Sequence, residues 1–96
     1  MLSSKGKFSF QQRSRIDIIA CILENSKGGS RKTKIIYKCN LSFSQFNLYR
    51  NYLAENGLLN VLELNDGAEI FEITDKGREF LKDYKRVKDA LNEKRI

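Results

Sequence analysis

The hydrophobic period of this chain changes at Asn56-Gly57, and that change limits the possible folds more than any other feature. Before it, apolar residues recur at intervals of three and four, the spacing of one helix face. After it, they alternate with acidic residues, the spacing of a half-buried strand. Both periods fall within 96 residues, enough for one small core. The expected class is therefore α+β, mainly helical, in one domain.

Ile16, Ile19, Ala20, Ile22 and Leu23 keep helical spacing, widened by Ile18 and Cys21, which predicts a largely buried first helix over 13–25. Gly28 and Gly29 break the pattern, and Ser30 offers a side-chain oxygen to cap a second helix over 31–39. Asn40 and Leu41 make a short turn. Ser42 then caps a third helix running to Glu55, with Phe46, Tyr49 and Leu53 facing inward. Gly57 ends it, because glycine takes the left-handed conformation after a helix at least cost.

Residues 60–65 and 68–74 interleave β-branched and apolar residues with Glu63, Glu69 and Glu72 around Asn65-Asp66-Gly67, which predicts a two-stranded hairpin. Thr74 caps a last helix over 75–93, about 28 Å long at about 1.5 Å per residue. The order is three helices, hairpin, long helix: a winged helix-turn-helix, with a flexible basic arm over 1–11, the domain over 12–81 and a C-terminal extension over 82–96. A hairpin directly after the second helix of a helix-turn-helix is a wing, and that second helix is the one such folds lay in the major groove.

At this point a resemblance can be named. The segments Asp17-Ile18-Ile19-Ala20-Cys21-Ile22-Leu23-Glu24, Lys32-Thr33-Lys34-Ile35-Ile36-Tyr37, Leu41-Ser42-Phe43 with Tyr49 and Leu53, Asn56-Gly57-Leu58-Leu59 and Ile73 to Leu81 follow one another over 18–81. In that order they resemble the archaeal winged-helix family that includes the small dimeric chromatin proteins of the 10a type. The resemblance implies binding of double-stranded DNA without an enzymatic step, and pairing through C-terminal helices. Arg50 departs from it, since the family usually has an apolar residue there.

Charge supports the same partner. Lysine and arginine total 18 against 12 acidic residues, net +6, an imbalance that attracts polyanions. Arg31, Lys32 and Lys34 open the second helix, where the dipole is already positive, and a bound phosphate would relieve that conflict. Lys5, Lys7, Arg13 and Arg15 would extend the patch. On the third helix Ser42, Ser44, Gln45, Asn47, Arg50 and Asn51 are the candidates for reaching base edges or phosphates. The wing is different: residues 41–73 carry one basic and five acidic side chains, whereas 1–40 carry nine basic and two acidic. Glu63, Asp66, Glu69 and Glu72 would repel phosphates, so the DNA face is expected in the N-terminal half. The same acidity supports an alternative, a protein-interaction module that docks a basic partner on its wing.

Phe80, Tyr84, Val87 and Leu91 fall at spacings of four, three and four, a coiled-coil seam, and are the candidate dimerisation residues of a symmetric homodimer. Leu81 is offset and is expected to pack on the domain's own core.

The chain has no histidine, and its two cysteines stand eighteen positions apart, so neither a zinc site nor a Cys-His nucleophile is expected. Gly28-Gly29 lacks the ending of a phosphate-binding loop. No cofactor, no metal and no catalysis are expected. Apolar runs fall short of the roughly 20 residues that span a bilayer, and the start lacks a signal-peptide core, so the expected location is cytoplasmic, with the nucleoid. Cys21 and Cys39 sit in apolar helical patterns, where a free thiol acts as a small buried hydrophobe. A bridge between them stays open for a hyperthermophilic host.

Overall fold

The computed structural model describes residues 13–93, so the arm expected over 1–11 lies outside the described residues. Helix α1 is Arg15–Glu24. Its first turn is closed reciprocally: the Asp17 amide donates to Ser14 Oγ (3.1 Å) and the Ser14 amide to Asp17 Oδ2 (3.4 Å), a capping box that satisfies two otherwise orphaned donors. Ile18, Ile19, Ala20, Ile22 and Leu23 are buried. Beyond the helix, Ser26 is buried; its hydroxyl donates to the Ile22 carbonyl (2.7 Å), and its own carbonyl accepts from the amides of Gly29 and Ile73, each at 3.2 Å. The loop is thereby tied to the sheet.

Strand β1 is Ser30–Arg31, where a helix cap was expected. Ser30 is buried in the strand and its hydroxyl has no partner, while Arg31, in extended conformation, is the residue that precedes α2, Lys32–Cys39, with no side-chain cap. Helix α3 is Phe43–Glu55, β2 Leu59–Glu63, β3 Glu69–Ile73 and α4 Asp75–Glu93. The hairpin pairs Leu59 with Ile73, Val61 with Phe71 and Glu63 with Glu69. β1 adds to its other edge, Ser30 opposite Phe71 and Arg31 opposite Ile70, giving an antiparallel sheet in the order β1-β3-β2. At the hairpin's tip the Leu64 amide donates to the Ala68 carbonyl (2.7 Å), and Gly67 takes φ of 87°, which only glycine adopts at low cost.

The core lies where α1, α2 and α3 meet one face of the sheet. Ile22, Leu23, Ile35, Phe46, Leu53 and Phe71 are fully buried in it. Phe46 from α3 meets Phe71 from β3 edge to face, with ring centroids 5.3 Å apart, the geometry that aromatic quadrupoles favour. Cys21 of α1 and Cys39 of α2 are joined as a disulfide, Cα to Cα 5.9 Å. The bridge therefore replaces the default of two free thiols: consecutive helices cross closely enough at these positions for their sulfurs to bond.

Thr74 caps α4 and anchors it. Its Oγ1 accepts from the Gly77 amide (2.9 Å) and donates to the Gly57 carbonyl (2.7 Å). Gly77 then passes so close to the sheet that a Cβ there would stand 2.5 Å from the Leu58 carbonyl oxygen and 2.7 Å from Ile73 Cγ1. Gly→Ala inside a helix ordinarily gains about 1 kcal/mol. Here the clash with fixed backbone reverses the sign, and Gly77→Ala is expected to lose roughly 1–3 kcal/mol in urea unfolding, as overpacked sites do. A gain would show that α4 sits farther from the sheet.

Further along, Leu81 is buried and Tyr84 donates its hydroxyl to Asp17 Oδ1 (2.6 Å), with Lys88 Nζ at 3.5 Å from the same oxygen. Burial, then the hydrogen bond to Asp17, pushes the Tyr84 phenol up to about 12, from 10.0. A group whose native pKa is raised stabilises fully below its unfolded value and loses that contribution as pH rises. The Tyr84 contribution should thus be intact below pH 10.0 and gone by about 12. Thermal melts across that range should show a steeper loss for the native chain than for Tyr84→Phe; parallel curves would contradict the contact.

Candidate nucleic-acid interface

The turn between α2 and α3 is fixed by its own backbone. Asn40 takes the left-handed conformation (φ 55°, ψ 55°), its amide donates to the Tyr37 carbonyl (3.3 Å), and the Leu41 amide reaches back to Ile36 (3.1 Å). Asparagine tolerates this region better than other side chains. Arg13 Nη2 donates to the Asn40 carbonyl (3.4 Å), so this cation of the expected patch lies at the same turn. Leu41 and Phe46, before and inside α3, are both buried in the core, the positions of a hydrophobic staple that sets a helix's entry angle.

At the front of α2, Arg31, Lys32 and Lys34 are all exposed, and no acidic residue occupies the first turn. Arg31 Nη2 lies 4.0 Å from Asp66 Oδ2 at the hairpin tip, with more than half of each side chain in water, a pair of little energetic weight. Lys32 Nζ stands 5.7 Å from the centroid of the Phe43 ring. The front of α2 and the hairpin tip line a shallow cleft made by Arg31, Lys32, Thr33, Gly67, Ala68 and Glu69.

The polar set on α3 divides in three. Ser42 and Gln45 form a capping box, the Ser42 amide donating to Gln45 Oε1 (2.9 Å) and the Gln45 amide to Ser42 Oγ (3.0 Å), so their side chains also start the helix. Ser44 and Asn47 are exposed, with Ser44 Oγ 3.3 Å from Ser42 Oγ. Arg50 is turned to the wing instead: Nε donates to Glu69 Oε1 (3.1 Å), Nη2 to Oε2 (2.6 Å) and Nη1 to Asn51 Oδ1 (2.9 Å). The Arg50 hydrogen bonds hold the Glu69 carboxyl below its usual range, against a smaller opposing effect of burial. This arginine, placed where the resembling family is apolar, braces α3 against β3.

Two exposed aromatic side chains that the sequence did not single out line a cleft at the turn between α2 and α3. Tyr37 on α2 is 81% exposed and Phe43 at the start of α3 is 60% exposed. The sequence did carry a signal for Phe43, since Leu41 and Phe46 already fill the staple positions on either side of it.

Of the four seam candidates, Phe80 and Tyr84 pack partly against the core and stack on one another at 6.5 Å, while Val87 and Leu91 are each 59% exposed. Ile16 of α1 is 54% exposed and lines one cleft with Phe80, Tyr84 and Val87. Among the described residues no helix is long and apolar enough to cross a membrane, and no three His, Cys, Asp or Glu side chains are grouped to hold a metal.

Comparison with known proteins agrees with this architecture. A winged helix-turn-helix family model matches residues 12–92. The uncharacterized protein MJ0287 of Methanocaldococcus jannaschii is 28% identical over 93 residues, covering 96% of this chain and 91% of its own. Among solved structures, Sso10a-2, a DNA-binding protein from Sulfolobus solfataricus, superposes with a TM-score of 0.73 at 26% identity over 84% of this chain and 87% of its own. The transcriptional repressor CouR, solved on a 23-mer DNA duplex, shares the fold with a TM-score of 0.66 at 22% identity; the match covers 85% of this chain and 63% of that one. By its helix-helix-helix-hairpin-helix order, its helix-turn-helix geometry and a family match spanning most of its length, this chain belongs to the winged helix-turn-helix family.

Proposed function

We propose that the chain binds double-stranded DNA as a homodimer, acting as a transcriptional regulator or an architectural chromatin component. One observation carries the reading: Arg31, Lys32 and Lys34 stand exposed at the front of α2, and Ser44 and Asn47 stand exposed on α3. In this reading α3 enters the major groove, and the cations and free amides of α2 hold the flanking phosphates. The DNA-binding description of Sso10a-2 and the duplex in the CouR structure support it. Gln45 and Asn51 contribute from the edges of the same face, while Arg50 keeps the wing in place. The acidic wing fits a basic partner less well than its composition suggests, because Glu69 is paired with Arg50 and Asp66 lies near Arg31.

The test is a gel shift comparing random and genomic duplexes at two salt concentrations. Similar, salt-sensitive affinity for most duplexes indicates a chromatin role; preference for one site by about 10³ or more indicates a regulator. No shift of any duplex would reject the reading.

For the dimer, α4 supplies the contact. Val87, between the two residues Tyr84 and Lys88 that tie the helix to α1, and Leu91 beyond them present apolar surface, and residues 82–96 act as the pairing extension. A charge buried in that seam costs more than so short a pairing yields. Val87→Glu is expected to sediment as a monomer where the native chain is a dimer. An unchanged mass would reject the seam.

A further inference from the structure

We infer that Phe43 reads thymine: its ring packs against the 5-methyl group of a thymine in the major groove, giving the protein a preference for thymine-bearing duplexes. The inference rests on the DNA-binding reading above and adds a specificity-determining residue to it. Phe43 is the first residue of α3 and is 60% exposed. Folding makes no use of that exposure. The staple positions belong to Leu41 and Phe46, both buried, and Ser42 and Gln45 close the helix cap without it. Phe43 instead sits at the rim of a shallow cleft shared with Thr33, Ile36, Tyr37, Asn40 and Leu41.

Its neighbours define the occupant. Lys32 Nζ stands 5.7 Å from the ring centroid, and Lys34 and Lys38 on the same helix are exposed. A basic surface around an apolar ring is a poor site for a basic or neutral protein and a good one for a polyanion that also presents an apolar group. In duplex DNA the thymine methyl is the apolar group at the major-groove edge, and phenylalanine is among the side chains that meet it. Lys32, held by the ring, is placed for the adjoining phosphate. Ser44 and Asn47, one and four residues on, supply hydrogen-bonding groups beside that contact.

The experiment compares two duplexes of identical sequence, one with thymine and one with deoxyuridine in its place, so that the methyl groups are the only chemical difference. Native chain and Phe43→Ala are titrated against both by fluorescence anisotropy at several salt concentrations. The native chain should bind the thymine duplex more tightly, by about fourfold for each methyl covered. Phe43→Ala should bind both duplexes alike, no more tightly than the native chain binds the deoxyuridine duplex. Phe43→Leu, which keeps an apolar side chain, should restore part of the preference. Circular dichroism melts of all three should coincide, since the ring is outside the core. Equal affinity of the native chain for both duplexes, or a preference that survives Phe43→Ala, would overturn the inference and leave DNA binding standing. Failure of the native chain to bind either duplex in dilute salt would overturn both.

Discussion

Replacing Arg31, Lys32 and Lys34 together by glutamate is expected to lower duplex affinity by on the order of 10³ and to flatten its salt dependence. Each phosphate neutralised contributes about 0.9 to the slope of log affinity against log salt, so three lost contacts remove roughly 2.7 per binding head. Reversal adds repulsion to the loss. The fold should not suffer in the same measure. All three side chains are exposed, and carboxylates in the first turn of α2 suit its dipole where cations do not, which offsets the loss of the weak Arg31–Asp66 pair. Anisotropy titrations across a salt series, with a melt beside them, separate the two effects. Affinity and slope unchanged in a folded variant would show that the front of α2 does not meet DNA.

Phe46→Ala should be the most damaging single change to the fold. Phe46 is fully buried, lies edge to face on Phe71 and is the point where α3 grips the sheet. Truncating a buried phenylalanine costs about 3–5 kcal/mol, against a total stability of about 5–15 kcal/mol for domains of this kind. At fixed protein concentration the melting temperature should fall by roughly 15–30 °C. The neighbouring Phe43→Ala should leave it unmoved. A larger effect of Phe43→Ala would mean that the inward and outward faces of α3 are exchanged. Because Phe46 and the polar residues of α3 share one helix, loosening this contact should also weaken DNA binding.

The fold was legible because it follows local rules. A shift of hydrophobic period at Asn56-Gly57, Ser42 and Thr74 as caps, and Asn65-Asp66-Gly67 as a turn each depend on residues a few positions apart. What was not legible depends on distant partners. Ser30 reads as a cap because serine commonly is one; only the approach of β3 makes Ser30–Arg31 a strand, and two residues carry no period of their own. Whether Cys21 and Cys39 bond depends on how α1 crosses α2, which spacing does not specify. Arg50 reads from the sequence either as a snorkelling side chain or as a groove contact, and its pairing with Glu69, nineteen residues away, is not specified by any local spacing. Tyr84 is half a seam residue by spacing and half a strut by its bond to Asp17, sixty-seven residues earlier. Phe43 shows the opposite case: its neighbours' roles were readable, and its exposure follows from them.

The most direct measurement is a nitrogen-proton correlation spectrum of the labelled chain as a short duplex is added in low salt. Amides of Lys32, Thr33 and Lys34 and of Phe43, Ser44 and Asn47 should shift first and farthest, while those of Glu63 and Leu64 on the wing and of Val87 on α4 stay near their free positions. Shifts concentrated on the wing or on α4, or a spectrum that duplex leaves untouched, would contradict the account.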